Sequence, residues 1–442
     1  MDKQKAKDLV QRESLNAWTK RRCKGTLQLC TGAGKTYAAI RAIEWVFSLN
    51  PNANVLIICP TEIIRDDTFP KEFKKWKKTE LLKKVDIKCI QTVYKWKDKH
   101  FDLVVADEIH NYIPEDGDYK SKLYEYHKFF ENCKYDRLLG LSAWIPDKKK
   151  TVIRKIAPVA YTLTTDKGVE LGVISPYIEY NIPVELNSME RSAYNKIQQT
   201  YFSLQNRLGG AAFAFKNAGH LIKTIGSIDS KSRTSDEKAK YQLALQFWKV
   251  MGKRKRILYE MPSKLKSVKA LIDELKIEKS VIFSQATIFA DHICVGRDDI
   301  ISYHSKVKDR KGAMNKFKDG RTKISHLSTC LAVNEGMDLP KLPVIIIAAR
   351  TSGAKAHIQR RGRCLRFEEG KTSYVFNLYV AETQDEKWLR SSQSTTDPSR
   401  IVEVNNINAL KKIINGAETK NEVTKSVYKE KSKTFKFTTK FS

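Results

Sequence analysis

TLQLCTGAGKTYAAIRAIEWVF, residues 26–47, decides the fold class. Thr26 to Cys30 has strand character and runs directly into Thr31-Gly32-Ala33-Gly34-Lys35-Thr36, after which a helical pattern begins. Strand, glycine loop and helix in that order make a phosphate-binding loop. Gly32 and Gly34 let the backbone curl so that several N–H groups point at one phosphate chain, and the helix start adds its positive dipole there. Lys35 would reach the β- and γ-phosphates, and the Thr36 hydroxyl would ligate Mg²⁺. The strict pattern has a first glycine where this chain has Leu29. Taken alone, Gly-x-Gly-Lys-Thr also occurs as an ordinary turn, so a partner motif is needed.

FDLVVADEIH, residues 101–110, supplies it. An apolar strand ends in Asp107-Glu108-Ile109-His110, and parallel strands present their C-terminal ends at one edge, where ligands bind. Asp107 would hold the magnesium shell. Glu108 would orient and deprotonate the attacking water, and His110 would couple this site to the other lobe. An acidic loop at a strand end is commonplace by itself. Downstream of a phosphate loop it reads as the second half of a nucleotide site.

Outward from these motifs, short apolar runs alternate with helical stretches. NVLIIC (54–59), VDIKCI (85–90) and LLGLSA (138–143) join the two strands above. The rhythm returns in SVIFS (280–284), IISYH (300–304), KISHLS (323–328), PVIIIA (343–348) and SYVFNLYV (373–380). Strands apolar on both faces, separated by crossover lengths, predict parallel sheets covered on both sides. The expectation is an α/β chain of two lobes, residues 1–165 and 266–385. A linker and helical insertion occupies 166–265, and a basic extension 386–442. Within the insertion, LGGAAFAF and GSIDSKSRTSDEK read as loops or links.

HIQRRGRCLR, residues 357–366, is the chemical signal of the second lobe. Arg363 and Arg366 are three apart and share a helix face. An arginine fork stabilises the charge that spreads over phosphoryl oxygens during transfer, and Gln359 would contact the γ-phosphate or the water. The plainer reading is a basic helix touching nucleic acid.

Among 442 residues, Lys and Arg number 81 against 50 Asp and Glu, a net charge of +31. That excess predicts a polyanionic partner, nucleic acid first, with a lysine-rich surface kept for solubility as the alternative. Eight cysteines are scattered without C-x-x-C spacing, so no zinc site is indicated. Those inside apolar runs, such as Cys59, read as buried thiols in a reducing compartment. No signal peptide core and no bilayer-length apolar run is present, so the expectation is a soluble, cytoplasmic protein.

The ordered set resembles the superfamily 2 helicases and translocases, from Gln11 to about Val380. TGAGKT looks like motif I, DEIH like motif II, and QRRGRCLR like motif VI. LSAW (141–144) resembles motif III: Ser142 is retained, and Trp144 stands where a threonine is usual. The resemblance implies two RecA-like lobes that use ATP and Mg²⁺. It implies nucleotide contacts from Thr31, Gly32, Ala33, Gly34, Lys35 and Thr36, and from Gln11 on the adenine side, in a loose pattern with Leu15 and Trp18. LSTCLAVNEGMDLP is similar to motif V, with Gly336 and Asp338 on the nucleotide side and Thr329 on the nucleic-acid backbone. CPTEII and IQTVYKW are similar to motifs Ia and Ib, placing Thr61 and Thr92 on that backbone too. The implied activity is ATP hydrolysis that drives movement on DNA, duplex or branched, in recombination, repair or replication. Phage branch-migration helicases, the excision-repair group and restriction-enzyme motor subunits share most of this pattern. An RNA helicase, a restriction-type translocase and a passive binding scaffold with a dead nucleotide site are the alternatives. A monomer without membrane contact is expected.

Overall fold

The computed structural model describes residues 3–330, 342–351 and 372–416. Its strands are β1 (Lys24–Leu29), β2 (Val55–Cys59), β3 (Val85–Cys89), β4 (His100–Ala106), β5 (Lys134–Ser142), β6 (Val159–Leu163), β7 (Tyr177–Pro183), β8 (Ser280–Ser284), β9 (Ile300–Tyr303), β10 (His326–Cys330), β11 (Val344–Ile347), β12 (Ser373–Tyr379) and β13 (Ile401–Glu403). They form a six-stranded sheet, β3-β2-β4-β5-β1-β6, and a seven-stranded sheet, β13-β7-β12-β11-β8-β10-β9. Every pairing is parallel. The expected tandem of parallel-sheet lobes is what the chain builds.

Period-two alternation explains why both faces are buried. In the first sheet Leu27, Ile57, Val105 and Leu139 face one core. That core includes α1 (Lys3–Lys20) and α2 (Lys35–Leu49). Leu56, Ile58, Val104 and Leu138 face a second core, completed by α6 (Lys122–Asn132) and α7 (Asp147–Ile156). Short helices α3 (Phe69–Lys75), α4 (Thr79–Leu82), α5 (Ile90–Val93) and α8 (Thr165–Glu170) complete the first lobe. The second sheet is covered in the same way, with Ile282 and Ile346 on one face and Val281 and Ile345 on the other.

Three helices, α9 (Ser188–Arg207), α10 (Ala214–Gly226) and α11 (Ser235–Tyr259), follow β7. They build a separate small core from Tyr201, Leu204, Ala214, Ala244 and Phe247. Side-chain capping boxes start α9 at Asn187 and α11 at Thr234. The stretch read as a loop at LGGAAFAF is partly helical, since α10 begins at Ala214. Helices α12 (Pro262–Glu274), α13 (Thr287–Cys294), α14 (Arg310–Lys318), α15 (Gln384–Ser392) and α16 (Ile407–Ile414) belong to the second lobe.

The span 166–265, expected to hold only linker and helices, contains β7, which pairs with β12 and β13 of the second sheet. The chain therefore enters the second sheet before the helical block, which lies between β7 and β8. Strand β13 likewise falls in the span expected to be a basic extension. The physical reason is a buried polar network that disguises both strands. Glu179 and Asn181 are fully buried, as is Asn377 on β12. Gln393 donates to Glu179 at 2.7 Å, and Asn181 donates to Glu403 of β13 at 2.7 Å. Arg390 is ion-paired with Glu403. Burying such groups is tolerable only when they are hydrogen-bonded to one another.

Candidate nucleotide and nucleic-acid site

The order β4-β5-β1 sets three motifs side by side at the C-terminal edge of the first sheet. Registers Ala106↔Gly140 and Gln28↔Ser142 bring the ends level. Gly140 is where the strands pack tightest against their cover: a Cβ there would lie 2.6 Å from Thr26 Oγ1 and 2.9 Å from Ile109 Cδ1.

After β1 the chain curls through Gly32 and Gly34, both at φ +91°, a conformation costly to any residue with a Cβ. Gly34 is the N-cap of α2 and offers no side chain, so its place is open backbone. Lys35 Nζ donates to the Leu29 carbonyl at 3.2 Å, which folds the ammonium back over the loop. The helix holds its place by burying Ala38, Ala39, Ile40, Ala42, Ile43, Val46 and Phe47.

Gln11 reaches the same loop from α1. That helix is pinned by Trp18, whose indole N–H donates to the Leu138 carbonyl at 2.9 Å. Gln11 is 2 % exposed, and its Nε2 lies 2.6 Å from where a Cβ on Gly34 would stand. Its Oε1 is buried and accepts no hydrogen bond. A buried amide acceptor without a donor suits an incoming N–H, which a purine exocyclic amine supplies.

After β4, Glu108 adopts φ 49°, ψ 48°, the left-handed region, at a cost of roughly 1–2 kcal/mol. Strain of this kind persists where surroundings over-determine it. Asp107 N–H donates to the Ile58 carbonyl at 2.9 Å, and the Tyr112 hydroxyl donates to the Asp107 carbonyl at 2.6 Å. Glu108 Oε2 is buried, accepts no hydrogen bond, and stands 3.4 Å from His110 Nδ1. His110 Nδ1 is 2.8 Å from Ser142 Oγ, at the end of β5. The Ser142 hydroxyl is in turn held by the Trp144 backbone, with Oγ 2.8 Å from its carbonyl and 3.2 Å from its N–H. Trp144, unusual at that position, thus serves through its main chain.

Sequence reasoning missed two braces of this edge. Tyr112 is fully buried beneath Asp107. Lys149, 8 % exposed, donates from Nζ to the His110 carbonyl at 2.8 Å. Lys149 sits in the run DKKK, which reads as a solvated charge cluster, so nothing local marks it.

The three threonines expected at the nucleic-acid backbone divide. Thr61 follows β2 and Thr92 follows β3, and Gln91 Nε2 donates to the Pro60 carbonyl at 3.2 Å, tying the two loops together. Thr92 is exposed. Its hydroxyl donates to the Cys89 carbonyl at 2.7 Å. The Thr61 hydroxyl accepts from the Ile64 N–H at 3.4 Å. Thr329 is fully buried in β10, and its hydroxyl has no hydrogen-bond partner among the described residues. The alternating pattern of β10 turns its side chain to the same face as Leu327. Gly336, Asp338, Gln359, Arg363 and Arg366 lie outside the described residues.

Among the described residues, no three His, Cys, Asp or Glu side chains cluster as a metal site, and no helix is long and apolar enough to cross a membrane.

Two family models match the chain. "Type III restriction enzyme, res subunit" covers residues 5–147, and "Helicase conserved C-terminal domain" covers residues 263–368. No curated protein sequence matches. Among solved structures, the helicase domain of Pyrococcus furiosus Hef is similar at 17% identity and TM-score 0.53, covering 87% of this chain and 99% of that one. Saccharomyces cerevisiae Dbp5, bound to RNA and ADP BeF3, is similar at 15% identity and TM-score 0.58, covering 92% of each chain. Sequence motifs, sheet order and the two family matches agree: the chain belongs to the superfamily 2 helicases.

Proposed function

We infer that this chain is a DNA motor, coupling ATP hydrolysis between its lobes to movement on duplex or branched DNA in recombination, repair or replication. The observation that carries the reading is the alignment, on neighbouring strand ends, of the glycine loop with Lys35, the strained Glu108, and the His110–Ser142 link. The net charge of +31 supports a nucleic-acid partner, and the restriction-subunit match over the first lobe favours DNA. The likeness to RNA-bound Dbp5 favours RNA as the second reading.

In the proposed mechanism, the loop from Thr31 to Thr36 receives the phosphates through backbone N–H groups and Lys35. Gln11 reads the purine edge. Glu108 accepts a proton from water as its oxygen attacks the γ-phosphorus; the bond to the bridging oxygen breaks, and ADP and phosphate form. The Thr36 hydroxyl and the Asp107 carboxylate are hard oxygen donors that would hold Mg²⁺, which would neutralise phosphate charge there. Gln359, Arg363 and Arg366, with Gly336 and Asp338, would complete the site from the second lobe. Loss of the γ-phosphate releases the lobes, and Thr61 and Thr92 carry the DNA grip. Contacts to phosphates make that grip sequence-independent and salt-sensitive.

The test is ATPase rate across duplex DNA, four-way DNA junctions and single-stranded RNA. Stimulation by DNA above RNA supports this reading, and stimulation by RNA alone selects the other.

A further inference from the structure

Helix α7 covers one face of the first sheet, and a cavity of ≈ 400 Å³ lies between this helix and strands β1 and β6. β6 is the last strand of that sheet, so the cavity stands at its edge. The floor is apolar. Ile145 and Ile153 are buried in the second core of the lobe, and Val159 packs against that core.

The rim is cationic. Arg21 comes from the turn after α1, and Lys150 and Arg154 are four apart on α7 and share a face. Lys150 is paired with Asp147 at 2.7 Å. Arg21 and Arg154 are exposed, and neither has an ion-pair partner among the described residues. No carboxylate lines the cavity among those residues. Unpaired guanidinium groups above an apolar floor suit an anion that carries an apolar body. Inorganic phosphate or a nucleic-acid backbone would leave the isoleucines uncovered. The size falls among small-molecule sites, which run from about 300 to 1,000 Å³.

The same walls border the catalytic edge. Gln28, on the β1 wall, is level with Ser142 on β5, so both side chains rise from one face of neighbouring strands. Ile145 follows Trp144, whose main chain holds the Ser142 hydroxyl. Lys149 of α7 precedes Lys150, and its Nζ donates to the His110 carbonyl at 2.8 Å. A molecule seated between α7 and β1 therefore bears on the groups that hold His110 and Ser142, because a packed interior transmits strain.

We propose that this cavity is an effector site for a small organic anion, its acidic group on Arg21 and Arg154 and its apolar body on Ile145, Ile153 and Val159, and that occupation changes the rate of ATP turnover. The regulatory half rests on the motor reading, whereas binding to the cavity stands apart from it.

The probe is anilinonaphthalene sulfonate, an aromatic body bearing one anion, titrated into the full chain and read by its fluorescence. N-phenylnaphthylamine, the same body without the sulfonate, is the control. The wild-type chain should prefer the sulfonate by about tenfold or more, as charge-assisted contacts would give. Arg21→Gln/Arg154→Gln should abolish that preference, and Arg21→Lys/Arg154→Lys should restore part of it. Lys249→Gln/Lys253→Gln removes the same charge beside the exposed Trp248, where an aromatic dye has another place to lie, and should leave the preference as in wild type. Saturating sulfonate should change wild-type ATP turnover at limiting ATP by about fivefold, the low end of common coupling between sites. It should leave turnover of Arg21→Gln/Arg154→Gln unaltered. Equal affinity for the two dyes, a preference that survives loss of both arginines, or one lost equally with Lys249 and Lys253 overturns the site. A preference with no effect on turnover overturns the regulation. A chain without ATPase under any condition defeats the motor reading instead, while the dye preference still reports the cavity, so the failures are distinguishable.

Discussion

His110 Nδ1 lies 2.8 Å from Ser142 Oγ, joining the loop after β4 to the end of β5. The serine hydroxyl lies 2.8 Å from the Trp144 carbonyl and donates its one proton there, so at this bond it accepts, and the imidazole carries its proton on Nδ1. With Glu108 Oε2 3.4 Å from the same nitrogen, the state of the carboxylate is felt at Ser142. Ser142→Ala should therefore cut strand displacement or translocation more deeply than ATP turnover. The ratio of ATP consumed to distance moved is the readout, and an unchanged ratio would show that the bond carries no coupling.

Lys35→Ala and Glu108→Gln address the chemistry. Losing a general base typically costs about 10²–10⁴-fold in rate. ATPase should fall by at least the lower figure in Glu108→Gln and disappear in Lys35→Ala, while DNA binding survives in both. Full turnover in either variant refutes the assignment of that residue.

Gly34→Ala tests the loop. The left-handed backbone at φ +91° costs a residue with a Cβ roughly 1–2 kcal/mol, and the new methyl would press on Gln11 Nε2 at 2.6 Å. A lower Tm and loss of nucleotide binding are expected. Adding Gln11→Ala should recover part of the stability, making the double change less harmful than the sum of the singles. Strict additivity in urea unfolding would mean the two residues do not touch.

Stability should fall in mild acid because of His326. Burial holds its imidazole below the usual value, against the smaller opposing pull of Asp299, 3.6 Å away. Below about pH 6.5 the unfolded chain takes up a proton that the folded chain refuses. Folding therefore weakens as pH falls, by up to roughly 1.4 kcal/mol per pH unit, until the depressed folded value is reached. His326→Asn keeps a polar group opposite Ser280, its 2.9 Å partner, without titrating. The pH dependence of urea unfolding should be shallower in that variant, and parallel curves would remove His326 as the cause.

Lys264 and Asp385 form an ion pair at 2.6 Å with both side chains fully buried. Asp385 also accepts the Val380 N–H at 3.0 Å. The buried guanidinium of Arg350 also acts on Asp385, so the three charges form one buried group. Lys264→Met leaves Asp385 facing Arg350 alone and should destabilise the fold, and replacing Asp385 as well, which strips Arg350 of its counter-charge, should not restore stability. Recovery of full stability in the double variant, read by urea unfolding, would count against Arg350 as a member of the group.

The placement of the glycine loop and the acidic turn at one sheet edge was legible in the sequence because its signals are local. A strand, two glycines, Lys35 and a helix are contiguous, and Asp107 ends an apolar run, so the chain itself fixes which sheet edge they reach. The second lobe was legible where its strands are apolar on both faces, as in β8 and β11. β7 was not, because Glu179 and Asn181 look like surface residues until Asn377, Gln393 and Glu403 arrive from distant segments to satisfy them. Thr329 is a related case. Its hydroxyl suggested a phosphate contact, whereas the sheet buried it. The same holds for Lys149, Tyr112 and the cavity beneath α7. Hydrogen-bond satisfaction and burial are properties of segments brought together, so only the tertiary structure could decide which polar residues face water and which brace the site.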